Sequence, residues 1–458
     1  MIETSTFKNQ TVAVLGLARS GLAAAKALLA GGARVLAWDD AAQKRNEAAA
    51  AGIPIADLTR LDVGGIKALI LSPGIPPTHA VVALAASHDV AVIGDIELLA
   101  RTRPRAKIVG LTGTNGKSTT TSLIGHILKE AGREVAVGGN LGPAAMSLPM
   151  LDANGVYVLE LSSYQLELTH SLAASIGVLL NLTPDHLDRH GSMDAYITAK
   201  RRLFDLQSEA AVAILGVDDQ PSRDLVAMLR EQHRVVIPIS GRGGEAAAGG
   251  VYAWGTHLID DLDGKRSEVL DLKDARTLPG AHNAQNAAAA YAAARCLGLE
   301  TATIIRALLS FPGLAHRQEL IATIEGVRYI NDSKATNADA AAKALACYDA
   351  IYWIAGGRPK TEGIESLAPF FERIRHAFLI GEAAPAFART LEGKVPASQC
   401  GTLEVALAAA RNAASSEGAP NAVVLLSPAC ASFDQFSDFE ARGSTFRRLV
   451  LLAAGRRK

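Results

Sequence analysis

Four cysteines in 458 residues, Cys296, Cys347, Cys400 and Cys430, form no CxxC pair. Their scarcity and scatter argue against a disulfide framework or a cysteine zinc site and fit a reducing compartment. No apolar run reaches the roughly 18 residues of a membrane span. The first ten residues, MIETSTFKNQ, lack the basic-then-apolar pattern of a secretion signal. Neither charge sign dominates, because lysine plus arginine equals aspartate plus glutamate at 46 each. A dedicated nucleic-acid binder normally carries a basic surplus, so that class is set aside. A local basic pocket for a phosphorylated small molecule stays open. Repeats, low-complexity tracts and long charge runs are missing too. These absences predict a cytoplasmic protein with neither a membrane nor a nucleic acid as partner.

What is present is a globular composition, 49% hydrophobic and 20% charged. The length exceeds what one hydrophobic core usually holds, so two or three domains are expected. The most informative stretch is AKIVGLTGTNGKSTTT, residues 106–121. Ile108 to Leu111 reads as a short buried strand, and a helical run begins at about Ser118. Between them lie Gly113, Thr114, Asn115, Gly116, Lys117 and Ser118. Glycines let backbone N–H groups turn around an anion, and a helix N-terminus adds partial positive charge. Lys117 can reach terminal phosphates, and a hydroxyl from Ser118 or Thr119 can ligate Mg²⁺. The usual pattern has a glycine five residues before Gly116, where Leu111 stands. This is therefore a variant phosphate loop, and a general-purpose NTPase is not its natural reading. The alternative is an ordinary strand-to-helix turn.

Residues 11–40 read as strand, glycine turn, alanine-rich helix and second strand, with Gly16, Ala18 and Gly21 in the places of GxGxxG. Asp39 lies where an acidic residue would meet a ribose hydroxyl. Such a unit could hold a dinucleotide, another diphosphate nucleotide, or nothing. Ser72, Pro73 and Gly74 make a rigid turn after a strand, either at a ligand edge or as a plain connection. Near Asp95 to Pro104 the pattern turns helical, then basic and proline-containing, which suggests a linker.

Farther on, the GGNLG turn at 138–142 could aim the Asn140 amide at the phosphates. The strand VYVLEL, 156–161, carries Glu160 at its end. A carboxylate there costs several kcal/mol if unpaired. Mg²⁺ beside a triphosphate would be its partner; capping the next helix is the other reading. The strand at 176–182 runs into a polar loop with His186, a ligand or a structural histidine. Lys200 lies on a helix and by spacing reads as a solvated face lysine. His282, Asn283 and Asn286 begin an alanine helix, where they could read a base edge or cap the helix. The last block alternates strands (327–330, 350–355, 378–381, 423–426) with polar or glycine loops, which implies a second doubly wound sheet.

GTNGKST, GGNLG, ELSSYQLE, TPDHLDRH, GAHNAQN, HRQE, NDSKATN and SPACASFDQF, in this order, resemble the Mur ligases. The match spans Gly16 to Phe439 and is most like the D-glutamate-adding members. The DNPR-type motif of diaminopimelate-adding relatives does not occur. The resemblance implies an α/β fold in three domains. These are a Rossmann-like unit at 1–96 for the UDP substrate, a central P-loop ATPase-type domain at 97–313, and a Rossmann-like doubly wound sheet at 314–458 for the amino acid. It implies an ATP-dependent amide ligase of peptidoglycan precursor synthesis, acting on UDP-MurNAc-L-Ala and D-glutamate through an acyl phosphate and a tetrahedral intermediate. A monomer is expected.

By the same matching, Ser118 and Glu160 ligate one Mg²⁺, and His186 and Lys200 serve a second. The matching lysine in this family is carbamylated, which turns an ammonium into a carboxylate-like ligand. Asn140 contacts the transferring phosphate. Asn286, Arg317 and Asp332 belong to the ATP site, with Arg317 reaching across from the last domain, so hinge closure is expected. Lys334, Thr336, Lys360, Ser432 and Phe439 line the D-glutamate pocket, and its lysines suit a dicarboxylate. UDP is held by Gly16, Arg19, Ser20, Asp39, Ser72, Pro73 and Gly74, with Asn140 and Ser162. Two departures from the family pattern stand out, Ala18 in the glycine turn and Arg358-Pro359 before Lys360. Competing readings are a ligase for another amino acid, a folylpolyglutamate-type synthase, an NAD-dependent oxidoreductase and a nucleotide switch. NDSKATN argues against the first two.

Overall fold

The computed structural model describes residues 1–60, 65–359 and 363–455. Its backbone forms three sheets, each a run of apolar strands separated by helices. β1 (Thr11–Leu15), β2 (Arg34–Trp38), β3 (Ala68–Leu71) and β4 (Ala91–Ile93) pair in parallel in the order β2-β1-β3-β4. The second sheet contains β5 (Lys107–Thr112), β6 (Val135–Gly139), β7 (Val156–Glu160), β8 (Ile176–Leu179) and β9 (Val212–Gly216). It continues through β10 (Val235–Ser240), β11 (Val251–Trp254), β12 (His257–Asp260) and β13 (Ser267–Asp271). Their order is β13-β12-β11-β10-β9-β8-β5-β7-β6, and only the β11-β12-β13 meander is antiparallel.

The third sheet has β14 (Glu319–Ile324), β15 (Val327–Asn331), β16 (Ile351–Gly356), β17 (Ile374–Ile380), β18 (Ala397–Gly401) and β19 (Val423–Leu426). Its order is β14-β15-β19-β16-β17-β18, parallel except at the β14 edge. The alternation of strands and helices read from the sequence is thus realised as an α/β architecture. Contacts divide the chain into two compact units. The first holds residues 1–274 and 283–310, with the first two sheets; the second holds 275–282 and 311–458.

Parallel strands covered on both faces need continuous apolar sequence. β5 is buried after Lys107, and β7 and β8 are buried throughout. From β5 the chain goes out to β6 and β7 on one side, then returns to β8 on the other. The reversal places a crevice outside the carboxyl ends of β5, β7 and β8, where open α/β sheets bind ligands. In the third sheet β19 returns between β15 and β16, so the loops after these three strands share one edge.

Two expected strands change their bounds. The strand expected at 176–182 stops at Leu179, and the Leu182 N–H turns to the Asp219 carboxylate at 3.2 Å. The strand expected at 378–381 starts earlier, at Ile374. The helical pattern near Asp95 is the helix Asp95–Arg101, and it is buried, since Ile96, Leu98 and Leu99 are inaccessible. Its Glu97 accepts bonds from Arg101, from the N–H groups of His170 and Ser171 and from the Ser171 hydroxyl, which is why a carboxylate is tolerated there.

Candidate active site

The phosphate loop joins β5 to the helix Lys117–Glu130. Gly116 has φ +85°, and a Cβ there would fall 2.3 Å from Asn286 Oδ1, so both conformation and space demand glycine. The loop is tied to the end of β8. Asn115 N–H donates to Asn181 Oδ1 at 2.8 Å, and Asn181 Nδ2 donates to Asn115 O and to Gln285 Oε1, each at 3.2 Å. Thr114 Oγ1 donates to Thr183 O at 3.1 Å and lies 3.2 Å from the Tyr196 hydroxyl. Asn181 was missed by the sequence reading, although it is the first polar residue after an apolar strand. Lys117 Nζ donates to Gly113 O and Thr114 O at 2.9 and 2.8 Å. Ser118 is buried in the first helical turn, Thr119 is half-buried, and Thr120 donates to Asn286 Oδ1 at 3.1 Å. Asn286 in turn donates to Asn283 Oδ1.

Glu160, at the end of β7, stands in register with Leu111 of β5 and Gly139 of β6. It is 2% exposed. Oε1 accepts from Asn140 Nδ2 at 2.8 Å, whereas Oε2 has no hydrogen-bond partner among the described residues. Glu160 does not cap the following helix: Ser162 does, in a capping box with Gln165. An orphaned carboxylate oxygen at the end of β7, next to the strand that feeds the phosphate loop, is the donor chemistry a hard divalent cation takes.

Lys200 overturns the reading of a solvated face lysine. Tyr196, Lys200, Leu203 and Phe204 follow the helical spacing that turns one face of Met193–Asp205 inward, and Lys200 is 1% exposed. Its Nζ donates to Gly113 O at 2.9 Å, the carbonyl that also accepts from Lys117, and lies 4.6 Å from the Tyr196 ring centroid. Burial, reinforced by the Lys117 charge, lowers its pKa well below the ordinary lysine value.

His186 is half-exposed at φ +54°, with Nε2 3.5 Å from Asp185 Oδ2 and its ring 5.2 Å from that of Tyr164. Among the described residues no group of three or more His, Cys, Asp or Glu side chains is gathered to hold a metal. The expected set supplies only Glu160 and His186 of those types.

In the first sheet, a Cβ on Gly21 would lie 1.8 Å from Gly16 O, which fixes that glycine. Ala18, at φ −74° and ψ −166°, is extended backbone any residue adopts, so this departure from the fingerprint leaves the turn intact. Asp39 closes the turn by accepting from Leu17 N–H at 2.7 Å and Ala41 N–H at 2.9 Å. Ser72 donates to Gly16 O, with Pro73 and Gly74 completing its turn, and Ser20 bonds Asp95. Arg19 donates to Asn140 O at 2.8 Å, joining the two sheets' ligand edges.

In the second unit the loop after β15 carries Asp332, Lys334 and Thr336. Burial pushes the Asp332 carboxyl up to about 7, opposed by hydrogen bonds from Ser427 and Gln318 N–H and by the Arg317 charge. Lys334 Nζ sits 3.7 Å over the Phe439 ring, and Thr336 N–H donates to Lys334 O. Ser432 is buried in the loop after β19. Lys360 lies outside the described residues; Arg358 before it pairs its backbone with Ala431 and its side chain with Glu382. The sequence reading also missed Arg442, 1% exposed, which donates to Ser333 Oγ and O and to Cys430 O and Ala431 O. One guanidinium thus braces the β15 and β19 loops together.

Residues 111–294 match the Mur ligase middle domain, and residues 316–430 match the Mur ligase, glutamate ligase domain. The UDP-N-acetylmuramoylalanine--D-glutamate ligase of Rhodospirillum rubrum is 54% identical, over 98% of this chain and 96% of its own. That of Paramagnetospirillum magneticum is also 54% identical, over 98% of each. The solved UDP-N-acetylmuramate-alanine ligase of Thermotoga maritima shares the fold at TM-score 0.60 and 18% identity, covering 98% of this chain and 100% of that one. From fold, site and sequence alike, the chain belongs to the Mur ligase family.

Proposed function

We propose that this chain is the ATP-dependent ligase that joins D-glutamate to UDP-N-acetylmuramoyl-L-alanine in peptidoglycan precursor synthesis. The observation that carries the reaction is full-length identity of 54% to ligases bearing that name. The L-alanyl carboxylate attacks the ATP γ-phosphorus and ADP leaves, giving an acyl phosphate. The D-glutamate amine then attacks the carbonyl carbon, the tetrahedral intermediate expels phosphate, and the amine proton departs. Small molecules are thus its substrates.

Residue roles follow from the site. Lys117 leaves the loop carbonyls to neutralise the β- and γ-phosphates, while Gly113 to Thr119 cradle them and Asn140 orients the transferring group. Mg²⁺, when bound, supplies charge neutralisation at the phosphate oxygens. Ser118 and Glu160 would hold one ion, and His186 and Lys200 a second; the orphaned Glu160 oxygen supports the first assignment. For the second, a buried lysine held neutral is the form that adds CO₂. A new N–C bond forms, a proton leaves, and two carbamate oxygens become donors. Asn286, Arg317 and Asp332 are assigned to ATP. Lys334, Thr336, Lys360, Ser432 and Phe439 are assigned to D-glutamate, a reading favoured by the stacked Lys334–Phe439 pair. Gly16, Arg19, Ser20, Asp39, Ser72, Pro73, Gly74, Asn140 and Ser162 are assigned to the UDP substrate.

The division at 1–96, 97–313 and 314–458, a monomeric state and a cytoplasmic location complete the reading. No helix among the described residues is long and apolar enough to cross a membrane. The test is phosphate release from ATP and Mg²⁺ with UDP-MurNAc-L-Ala and, in turn, D-glutamate, L-glutamate, L-lysine or meso-diaminopimelate. Release that needs D-glutamate alone is expected. Release with another acceptor overturns the Lys334 and Thr336 assignment, and indifference to every acceptor overturns the ligase reading.

A further inference from the structure

The second unit holds a cavity of about 290 Å³ that the ligase reading leaves unused. It lies between the helices Leu403–Glu417 and Phe439–Gly455, over the face of the third sheet carrying Tyr329. None of the residues assigned above to ATP or D-glutamate lines it. Most of the wall is aliphatic: Leu407, Ala408, Leu449, Val450, Leu452 and Ala453. Leu452 is 48% exposed at the mouth, while Val450 is inaccessible.

Three polar groups, Tyr329, Arg411 and Glu404, break this apolar lining. Tyr329 is 1% exposed as a residue and lines the cavity, where its hydroxyl is open to a ligand. Arg411 is half-buried at the same cavity, close enough for its charge to act on the Tyr329 phenol. It forms no hydrogen bond or ion pair among the described residues. Both face a mostly aliphatic space. Glu404, also on the rim, is exposed in the first turn of its helix, where a carboxylate complements the helix dipole. It is seven residues from Arg411, about 10.5 Å along the helix axis, so the anion-seeking end of the cavity is the Arg411 end.

We propose that this cavity is a second small-molecule site, for an amphipathic carboxylate. Its aliphatic body packs between the two helices, and its carboxylate takes hydrogen bonds from Arg411 and from the Tyr329 hydroxyl. The charge pairing selects an anionic head, the aliphatic wall selects the body, and the volume limits the ligand to a medium-chain acid.

The test is calorimetric titration of the full chain with decanoate, with decanol and acetate as matched probes. Decanoate is expected to bind at one saturable site, with decanol and acetate each about tenfold weaker or worse, because each lacks one half of the recognition. Arg411→Ala should weaken decanoate about tenfold, and Tyr329→Phe, which keeps the packed ring, several-fold. Neither should change the weak binding of decanol. Arg411→Gln, also polar and half-buried, covers the case of a misfolded alanine variant. Saturable binding that survives Arg411→Ala and Arg411→Gln unchanged, decanol binding as well as decanoate, or no saturable binding would each overturn the site.

Discussion

The two ligand edges of this molecule treat buried charge in opposite ways. At the phosphate loop a buried carboxylate is left partly open: Glu160 Oε2 has no hydrogen-bond partner among the described residues, while Lys117 and Lys200 converge on Gly113 O. At the edge of the third sheet the buried polar groups are hydrogen-bonded by the protein itself. Arg442 donates to Ser333, Cys430 and Ala431, and Asp332 is bonded by Ser427 and Gln318. An underserved buried charge raises the free energy of the empty site and is relieved by a ligand of opposite charge. A satisfied one stiffens the loops that must hold a small substrate. The first edge is thus built to receive phosphates and cations, and the second to stay in shape.

The sharpest way to break this contrast is to remove a buried group at the phosphate loop. Lys200→Ala is expected to lower kcat by about a hundredfold or more, the scale of losing one preorganised electrostatic group. Partial recovery on adding a short carboxylic acid is expected, since the acid supplies the oxygen donors of the lost carbamate. Mass spectrometry of the native wild-type protein should show the added CO₂. Full activity in the unrescued mutant would sink the assignment.

On the second edge the expected effect is on stability. Asp332 has its carboxyl raised to about 7, above the unfolded value near 3.9, so the folded state binds the proton more tightly. Its contribution is therefore fully present below about pH 4 and is lost as pH rises through about 7, by at most on the order of 4 kcal/mol. Asp332→Asn should flatten that slope. Trp353, buried in the third sheet, can report urea unfolding once Trp38 and Trp254 are replaced by Phe. An unchanged slope in the asparagine variant would assign the pH dependence to other groups.

The same contrast explains what was legible in the sequence. The phosphate loop could be read because local constraints write it: Gly116 has no room for a Cβ, and Lys117 and Ser118 follow at fixed spacing. Glu160 was legible because a carboxylate closing an apolar strand demands a partner. Lys200 was not, because which face of its helix turns inward depends on the loop after β5, some 90 residues earlier, whose Gly113 carbonyl it meets. Arg442 was hidden for the same reason, since its acceptors lie in two other loops. Ala18 looked like a flaw only while the glycine pattern was read by position; the backbone there asks nothing of glycine.

Ser162 offers the smallest effect and sharpens the comparison most finely, because it sits between the two kinds of role. Its side chain accepts from Gln165 N–H as the cap of Ser163–Glu167, a satisfied structural bond, yet it is also assigned to the UDP substrate. Ser162→Ala should cost about 1 kcal/mol of stability as a lost cap. If the hydroxyl also touches substrate, KM for UDP-MurNAc-L-Ala should rise several-fold with KM for D-glutamate unchanged. Ser162→Asn separates the two, since asparagine caps as well as serine. Recovered stability with KM still raised assigns the hydroxyl to substrate. Recovery of both together would mean that Ser162 acts only by holding the helix that follows Glu160.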